Sequence, residues 1–245
     1  MKKVTLISSE ETLDQKPAVK TTGFKKVLLY IKKGLVFFYR EFLKFPNYLL
    51  FHPIKGFDLF KREKKGRLSV AIVFVILNIV GTLLMMKYGG FEFVYVKWTE
   101  FQPVSFVLNA LLPVVVFVLA NWSVTTIMDG KGKMKEIFMV YGYSLFPVLI
   151  NVILNLCLTN FATYNSGIVK IVSRSFSFLS YMLLFFGIMA IHEYGLLKTI
   201  STFVLTLIAV GVILFTALLF FDLFQKIIGF IYVIYKEITL RGLLG

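Results

Sequence analysis

The amino-acid sequence predicts an all-α integral membrane protein, with five transmembrane helices and an interfacial amphipathic helix at each end. The composition is the first reason, because 58% of the residues are apolar and only 16% are charged, whereas about a quarter of a soluble domain is charged. The second reason is that several long stretches contain no Asp, Glu, Lys or Arg, and about 20 such residues cross a hydrocarbon core about 30 Å thick. The third reason is that Lys and Arg are concentrated in alternate connecting segments.

The N-terminal 67 residues are strongly basic, with sixteen of the 27 Lys and Arg residues. Residues 1–23 are polar and are expected to be a disordered cytoplasmic tail without the apolar stretch of a signal peptide. Residues 24–67 are predicted to be a basic amphipathic cytoplasmic segment. A helix over Phe24–Lys44 would lie flat in the membrane interface or pack on the ends of the spans, and Pro46 is predicted to end it.

Basic residues beside the first span are expected to bind anionic lipid rather than nucleic acid. Juxtamembrane basic clusters set the topology of a membrane protein and attract anionic headgroups. The predicted lipid-contact residues are Lys25, Lys26, Lys32, Lys33, Lys61, Arg62, Lys64, Lys65 and Arg67.

The transmembrane domain is predicted to cover residues 68–221. Its five spans have the approximate bounds 68–86, 103–128, 137–158, 175–191 and 199–221. The fourth span is short and would need snorkelling ends or a locally thinner bilayer. The segments predicted inside hold twenty Lys and Arg residues against seven outside, which places the N-terminus in the cytoplasm and the C-terminus outside. Residues 222–245 are predicted to be an amphipathic helix on the outer face.

Amides and prolines follow one face of several spans. In the third span a polar or proline residue recurs at every fourth position, which places the set on one helix face. The residues of these stripes are Asn78 in span one, Asn109, Pro113 and Asn121 in span two, and Tyr143, Pro147, Asn151 and Asn155 in span three. They are predicted to face one another, either as hydrogen-bonding contacts between spans two and three or as a hydrated groove for a lipid headgroup or partner helix. A neighbouring Ser, Thr or Asn is expected to satisfy each carbonyl freed by a proline.

Motifs for catalysis or metal binding are missing from the sequence. The stretch HEYG (192–195) begins like a zinc-binding helix, but residue 196 is Leu where a second His would be required. The stretch DGKGKMKE (129–136) lacks the strand and the terminal Lys-Ser/Thr of a phosphate-binding loop, and is predicted to be a tight basic turn. The predicted spans hold no ionisable residue, which argues against a proton relay. We therefore expect no catalytic residues, no metal and no cofactor.

Two stretches resemble the Yip family, a five-span membrane domain named for interaction with Rab-type GTPases. They are HPIKGFDLFKREKKGRLSVAIVF (52–74) and NWSVTTIMDGKGKMKEIFMVYGYSLFP (121–147), and the similarity covers about residues 45–225. GYSLFP (142–147) is its most specific element. The resemblance implies five spans, a cytoplasmic N-terminus and no catalysis. The acidic-Leu-x-Gly-Pro element of eukaryotic members is absent, so the chain is most similar to the bacterial branch and GTPase binding is doubtful.

Three functional hypotheses follow from these features. The first is a non-enzymatic membrane-organising or scaffold protein of a bacterial cell membrane, in contact with anionic lipid. The second is an accessory subunit of a larger membrane complex, such as an ATP-binding-cassette solute transporter. The third is a small lipid or solute transporter, with a cavity between the Asn151/Asn155 and Asn109/Asn121 faces. Membrane lipids, and either a membrane-protein partner or a second copy of the chain, are the expected partners.

Overall fold

The computed structural model describes residues 32–89, 101–161 and 166–244, and this part of the chain is helical without strands. The chain divides into two units, residues 1–40 and residues 41–245. In the first unit, helix α1 covers residues 32–38. The predicted disordered tail, the first part of the amphipathic segment, and Lys25 and Lys26 lie outside the described residues.

The membrane domain is built from helices α4 to α9. Their bounds are α4 Leu68–Tyr88, α5 Pro103–Ile127, α6 Met134–Ser144, α7 Phe146–Phe161, α8 Ser166–His192 and α9 Leu196–Leu244. Among the described residues, five helical stretches are long and apolar enough to cross a membrane, and α6 with most of α7 forms the third. The predicted all-α, five-span fold class is confirmed.

The prediction that Pro46 ends the helix is wrong, because the helical structure continues through this residue. A π-helical turn over Tyr39–Lys44 precedes helix α2 (Phe45–Phe51), and Pro46 lies in the first turn of α2. A proline is tolerated there because the N–H that it lacks would have no partner within the helix. Pro53 begins helix α3 (Pro53–Arg62) in the same way.

Two of the predicted helix boundaries differ from the structure. Helix α8 begins at Ser166, well before the predicted start of span four, and its first turns include Lys170 and Arg174. Both basic side chains are exposed, so their aliphatic stems can run along the apolar helix while the charges reach water. Residues 222–244 are helical as predicted, but they continue α9 without a break at Phe221.

Helix α9 is unusually long and poorly covered. Its 49 residues extend about 74 Å at 1.5 Å per residue. Its only buried residues among those described are Thr199, Thr202 and Thr206, close to its N-terminal end. From Leu214 to Leu240 every residue is exposed, including large apolar side chains on all faces.

The third span is broken at Leu145, between α6 and α7. Pro147 lies in the first turn of α7, where it lacks an N–H and its ring would clash with the carbonyl of Tyr143 in a continuous helix. At the break, the Leu145 amide donates to the carbonyl of Gly142, three residues earlier, at 3.2 Å. The Ser180 hydroxyl of α8 donates to the Ser144 carbonyl at 2.6 Å. A serine of a neighbouring helix thus satisfies one carbonyl at this break. The carbonyl that Pro147 leaves free is that of Tyr143, so the predicted partner of that carbonyl stays a prediction.

The core lies around α6, which packs against α4, α5 and α8. Gly142 of α6 is in direct contact with the backbone of Ala71 in α4, and Gly187 of α8 is in contact with Val140. Such small residues let helices approach closely, which supplies the packing energy that holds membrane helices together. Helix α3 closes one end of this core with the buried rings of Phe57 and Phe60.

Candidate functional site

Three connecting segments meet at one end of the helical bundle. They are α3 with residues 63–67, the α5–α6 loop (128–133) and the α8–α9 turn (192–195), and we call them together the basic end. Glu193 in the turn binds Lys61 of α3, with Nζ 3.2 Å from Oε1. It also binds Lys131 of the loop, with Nζ 2.6 Å from Oε2. One carboxylate therefore joins all three segments.

Lys61 is the most deeply held of these charged groups. Its side chain is only 19% exposed, and its Nζ also donates to the Ile191 carbonyl at the C-terminal end of α8 at 2.5 Å. A cation at the C-terminus of a helix is stabilised by the helix dipole and by the unpaired carbonyls there. The ammonium of Lys61 is thus fixed by one charged and one neutral oxygen from the same turn.

The α5–α6 loop wraps around His192 and Tyr194. The Gly132 amide donates to His192 Nδ1 at 3.2 Å, and the Tyr194 hydroxyl donates to the Met128 carbonyl at 3.1 Å. The two rings are stacked, with centroids 5.2 Å apart. A Cβ on Gly130 would overlap His192 Nδ1 and the Tyr194 hydroxyl, so only glycine fits at this close approach.

His192 is buried, and its two ring nitrogens have different environments. Because Nδ1 accepts the Gly132 amide hydrogen, the proton of the neutral imidazole is on Nε2. Nε2 is buried and has no hydrogen-bond partner among the described residues. The turn therefore holds a donor without an acceptor.

The electrostatic setting of Glu193 makes its ion pairs insensitive to pH near neutrality. Hydrogen bonds from Lys131 and then Lys61, together with their positive charges, lower the pKa of Glu193 from 4.5 to about 2. A carboxyl whose pKa is depressed in the folded state stabilises that state above its unfolded pKa. This contribution is therefore complete above about pH 4.5, and it is lost as the pH falls toward about 2.

The other predicted lipid-contact residues have mixed environments. Several of them form ion pairs: Arg62 with Asp58 at 2.6 Å, Lys65 with Glu63 at 2.7 Å, and Arg67 with the buried Glu41 at 3.0 Å. Lys64 is exposed, with a left-handed φ of 50°. In the first unit, Lys32 and Lys33 are exposed and line a shallow depression with Val36, Phe37 and Arg40. Lipid contact by these residues stays a prediction.

Tyr143 belongs to an aromatic cluster rather than to a polar stripe. Its buried ring meets Phe45, Phe60 and Phe74 edge-on, with centroids 5.9, 5.2 and 5.8 Å away. Its hydroxyl accepts a hydrogen bond from the Arg67 amide at 3.2 Å, at the residue before α4 begins. Tyr143 thus joins α2, α3 and α4 to α6.

The amides of spans two and three do not face one another, contrary to our expectation. Asn121 of α5 is fully buried and donates through Nδ2 to Thr206 of α9 at 3.1 Å. Asn155 of α7 donates to Ser173 of α8 at 2.8 Å. The two interfaces are separate, because Asn121 joins α5 to α9 and Asn155 joins α7 to α8.

The remaining residues of the predicted stripes do not form hydrogen bonds with one another among the described residues. Asn109 and Pro113 are exposed on α5, and Asn78 is half-buried, with its carbonyl accepting from Thr82 in the same helix at 2.9 Å. Asn151 is half-buried, and its side-chain oxygen has no partner among the described residues.

The sequence analysis missed the threonines that complete the α5–α9 interface. Thr199, Thr202 and Thr206 are buried at intervals of three and four residues, which is the spacing of one helix face. The spacing could have been noticed in the sequence, since three threonines on one face of a span indicate contact with a neighbouring helix.

Asn121→Leu is expected to weaken the α5–α9 interface by about 1 kcal/mol, because it removes the hydrogen bond to Thr206. Asn109→Leu is the matched control, since Asn109 is exposed on the same helix. The measurement is unfolding of the full chain in detergent, followed by helical circular dichroism. Equal stability of the two variants would contradict the assignment of Asn121 to this interface.

The five apolar helices and the tight helix–helix contacts define a multi-pass membrane protein. The family model of the Yip1 domain matches residues 47–219, about 70% of the chain. The chain therefore belongs to the Yip1 domain family. Neither the curated proteins nor the solved structures contain a match to it.

Both limits of the family match lie inside helices. The match begins within α2 and ends within α9, at about the length at which α9 would have crossed one bilayer. It includes the whole basic end. It leaves out α1 and the distal part of α9 from residue 220 onward.

Proposed function

We propose that this chain is a non-enzymatic membrane-organising or scaffold protein of the cell membrane, whose basic end contacts anionic lipid. The observation that carries the proposal is the packing of α3. Phe57 and Phe60 are buried in the core, so α3 is held where the spans end. Lys55, Arg62 and the turn after α3 are exposed, and the proposal places them beside the membrane surface.

The charge distribution supports a cytoplasmic location for the basic end. The segments on this side carry twenty of the 27 Lys and Arg residues, including those before α2. Positively charged segments stay preferentially in the cytoplasm, where the membrane surface is also negatively charged. The distal part of α9 would then lie on the outer side.

The chemistry of the basic end supports a role without catalysis. His192 is the residue there best suited to general acid–base work. Its Nδ1 is already occupied by the Gly132 amide, and the ring is buried under the α5–α6 loop. A general base must reach the proton that it removes, and this imidazole offers no accessible nitrogen.

The arrangement of the amides counts against a transporter. A transport cavity would need Asn109 and Asn121 to face Asn151 and Asn155. Asn121 is instead paired with α9, Asn155 with α8, and Asn109 is exposed. The two paired amides, Asn121 and Asn155, are used in separate helix–helix contacts.

A second candidate, an accessory subunit of a larger membrane complex, is favoured by α9. A helix that is apolar on all faces is normally buried in a membrane or against protein, and the apolar stretch of α9 is only 6% buried in this chain. Purification of the full chain from native membranes in mild detergent, with mass spectrometry of stoichiometric partners, tests this candidate. Recovery of the chain alone would count against it.

The lipid contact is tested by reconstituting the full chain in vesicles of phosphatidylcholine and phosphatidylglycerol and measuring which lipid is enriched around it. We expect phosphatidylglycerol to be enriched, and the variant Arg62→Gln, Lys64→Gln, Lys65→Gln to lose most of this preference. Each basic residue near an anionic surface contributes about 1 kcal/mol.

The matched control removes three charges elsewhere, with Lys87→Gln, Lys170→Gln and Arg174→Gln. These residues are exposed at the opposite ends of α4 and α8. The proposal is wrong if wild type shows no preference for phosphatidylglycerol, or if the control loses as much preference as the basic-end variant.

A further inference from the structure

We propose that Lys61 and Lys131 form a binding site for a phosphate group, and that the Glu193 carboxylate occupies this site in the present structure as an internal ligand. The inference rests on the proposed contact with anionic lipid and specifies where one headgroup phosphate would bind. A free phosphate has the same chemistry, so the experiment below separates the two sources.

The geometry of the Glu193 carboxylate is the first support. Its two oxygens bind two different ammonium groups, Oε1 to Lys61 and Oε2 to Lys131. A phosphate likewise offers several anionic oxygens, and lysine binds it as a point charge. Two lysines from segments far apart in the sequence thus converge on the position of one anion.

The burial of Lys61 is the second support. If Glu193 moved away, the Ile191 carbonyl would be the one remaining partner of the Lys61 ammonium among the described residues, and the Lys61 side chain is only 19% exposed. A poorly hydrated charge without a counter-ion is unfavourable. The vacated site would therefore favour the uptake of another anion.

Glu193 itself is placed to leave the site. Its side chain is 51% exposed, and it lies in a turn with a left-handed φ of 55°. This conformation is held by backbone hydrogen bonds that cap the C-terminal end of α8, from the Glu193 amide to the Ala190 carbonyl at 3.3 Å and from the Tyr194 amide to the Met189 carbonyl at 3.1 Å. The carboxylate can therefore move without a change in the backbone of the turn. An anion that displaces the carboxylate would remove the two ion pairs by which Glu193 joins the turn to α3 and to the α5–α6 loop.

The experiment uses the purified full chain in a neutral detergent and measures how ligands raise its unfolding temperature, because a ligand that binds only the folded state stabilises it. The probes are inorganic phosphate, with chloride at equal ionic strength as reference, and short-chain phosphatidic acid, with short-chain phosphatidylcholine as reference. Glu193→Gln is expected to bind phosphate or phosphatidic acid roughly tenfold more tightly than wild type.

Glu63→Gln is the matched control. It changes the net charge by the same amount at the same end, but Glu63 pairs with Lys65 rather than with Lys61 or Lys131. It should bind both probes as wild type does. Adding Lys131→Gln to Glu193→Gln should remove the gain. An equal gain in Glu63→Gln, or no gain in Glu193→Gln, overturns the inference.

The two probes separate the possible sources of the phosphate. A gain with phosphatidic acid that exceeds the gain with inorganic phosphate identifies a lipid headgroup, and a gain of equal size identifies a free phosphate group. If Glu193→Gln does not fold, wild type and Lys131→Gln are compared at high phosphatidic acid concentration. Stabilisation of wild type but not of Lys131→Gln supports the site, and equal behaviour overturns it.

Failure of this inference is distinguishable from failure of the proposed function. Phosphatidylglycerol enrichment around wild type without a specific effect of Glu193→Gln leaves the general lipid contact standing and removes the internal ligand. Binding of inorganic phosphate by Glu193→Gln without any lipid enrichment around wild type would support the phosphate site and contradict the proposed lipid contact.

Discussion

Gly142→Leu is expected to destabilise the chain by about 3 kcal/mol, because α4 and α6 meet at this glycine without room for a side chain. A Cβ at position 142 would lie 2.7 Å from Ala71 Cα and 2.8 Å from its carbonyl oxygen. The obstacle is backbone, so no rotation of a side chain can relieve the overlap, and α4 would have to move away from α6. The loss is measured as the free energy of unfolding in detergent, by circular dichroism.

Gly211→Leu is the matched control for this prediction. Gly211 lies in α9 with nothing within 4 Å of its Cβ position, and leucine is a better helix former than glycine by about 1 kcal/mol. This variant should be as stable as wild type or slightly more stable. The close α4–α6 contact would be refuted if the two leucine variants were equally stable.

Tyr143→Ala is expected to cost about 4 kcal/mol, because it removes a large buried ring. The change would empty the space between the rings of Phe45, Phe60 and Phe74. It would also leave the Arg67 amide without the hydroxyl that accepts its hydrogen. We expect α2 and α3 to loosen first, which protease cleavage between α2 and α4 would detect.

Two comparisons isolate the cause of this loss. Tyr143→Phe keeps the ring and removes only the hydroxyl, so it should cost about 1 kcal/mol. Tyr181→Ala removes an equal ring from a position that is 70% exposed on α8, and should have little effect. A Tyr181→Ala variant as unstable as Tyr143→Ala would show that the aromatic cluster is not the reason.

The sequence was a good guide to the spans, because crossing a membrane depends on local composition. Uncharged runs located all five spans. They misplaced the start of α8, since Lys170 and Arg174 were taken as loop residues although their long side chains can remain on a helix. The sequence also assigned too strong an effect to Pro46, because a proline in the first turn of a helix is compatible with it.

The partners of the polar residues could not be predicted in the same way. The face of a helix that meets a given neighbour depends on the packing of the whole bundle, which spacing along one helix does not report. Asn121 and Thr206 are 85 residues apart, and Lys61 and Ile191 are 130 apart. The sequence analysis considered HEYG and DGKGKMKE separately, the first as an incomplete zinc motif and the second as a basic turn. The structure packs them together through the hydrogen bond from Gly132 to His192.

The attachment of α9 has a mechanical consequence. The helix is packed against the bundle at one end, where Thr199, Thr202 and Thr206 are buried, and every residue from Leu214 to Leu240 is exposed. From Thr206 to Leu244 it forms an arm about 57 Å long. Rotation of the packed end by about 10° would therefore swing the far tip by about 10 Å. Sub-ångström adjustments at the α5–α9 contact are geometrically magnified into displacements of several ångströms at the opposite surface.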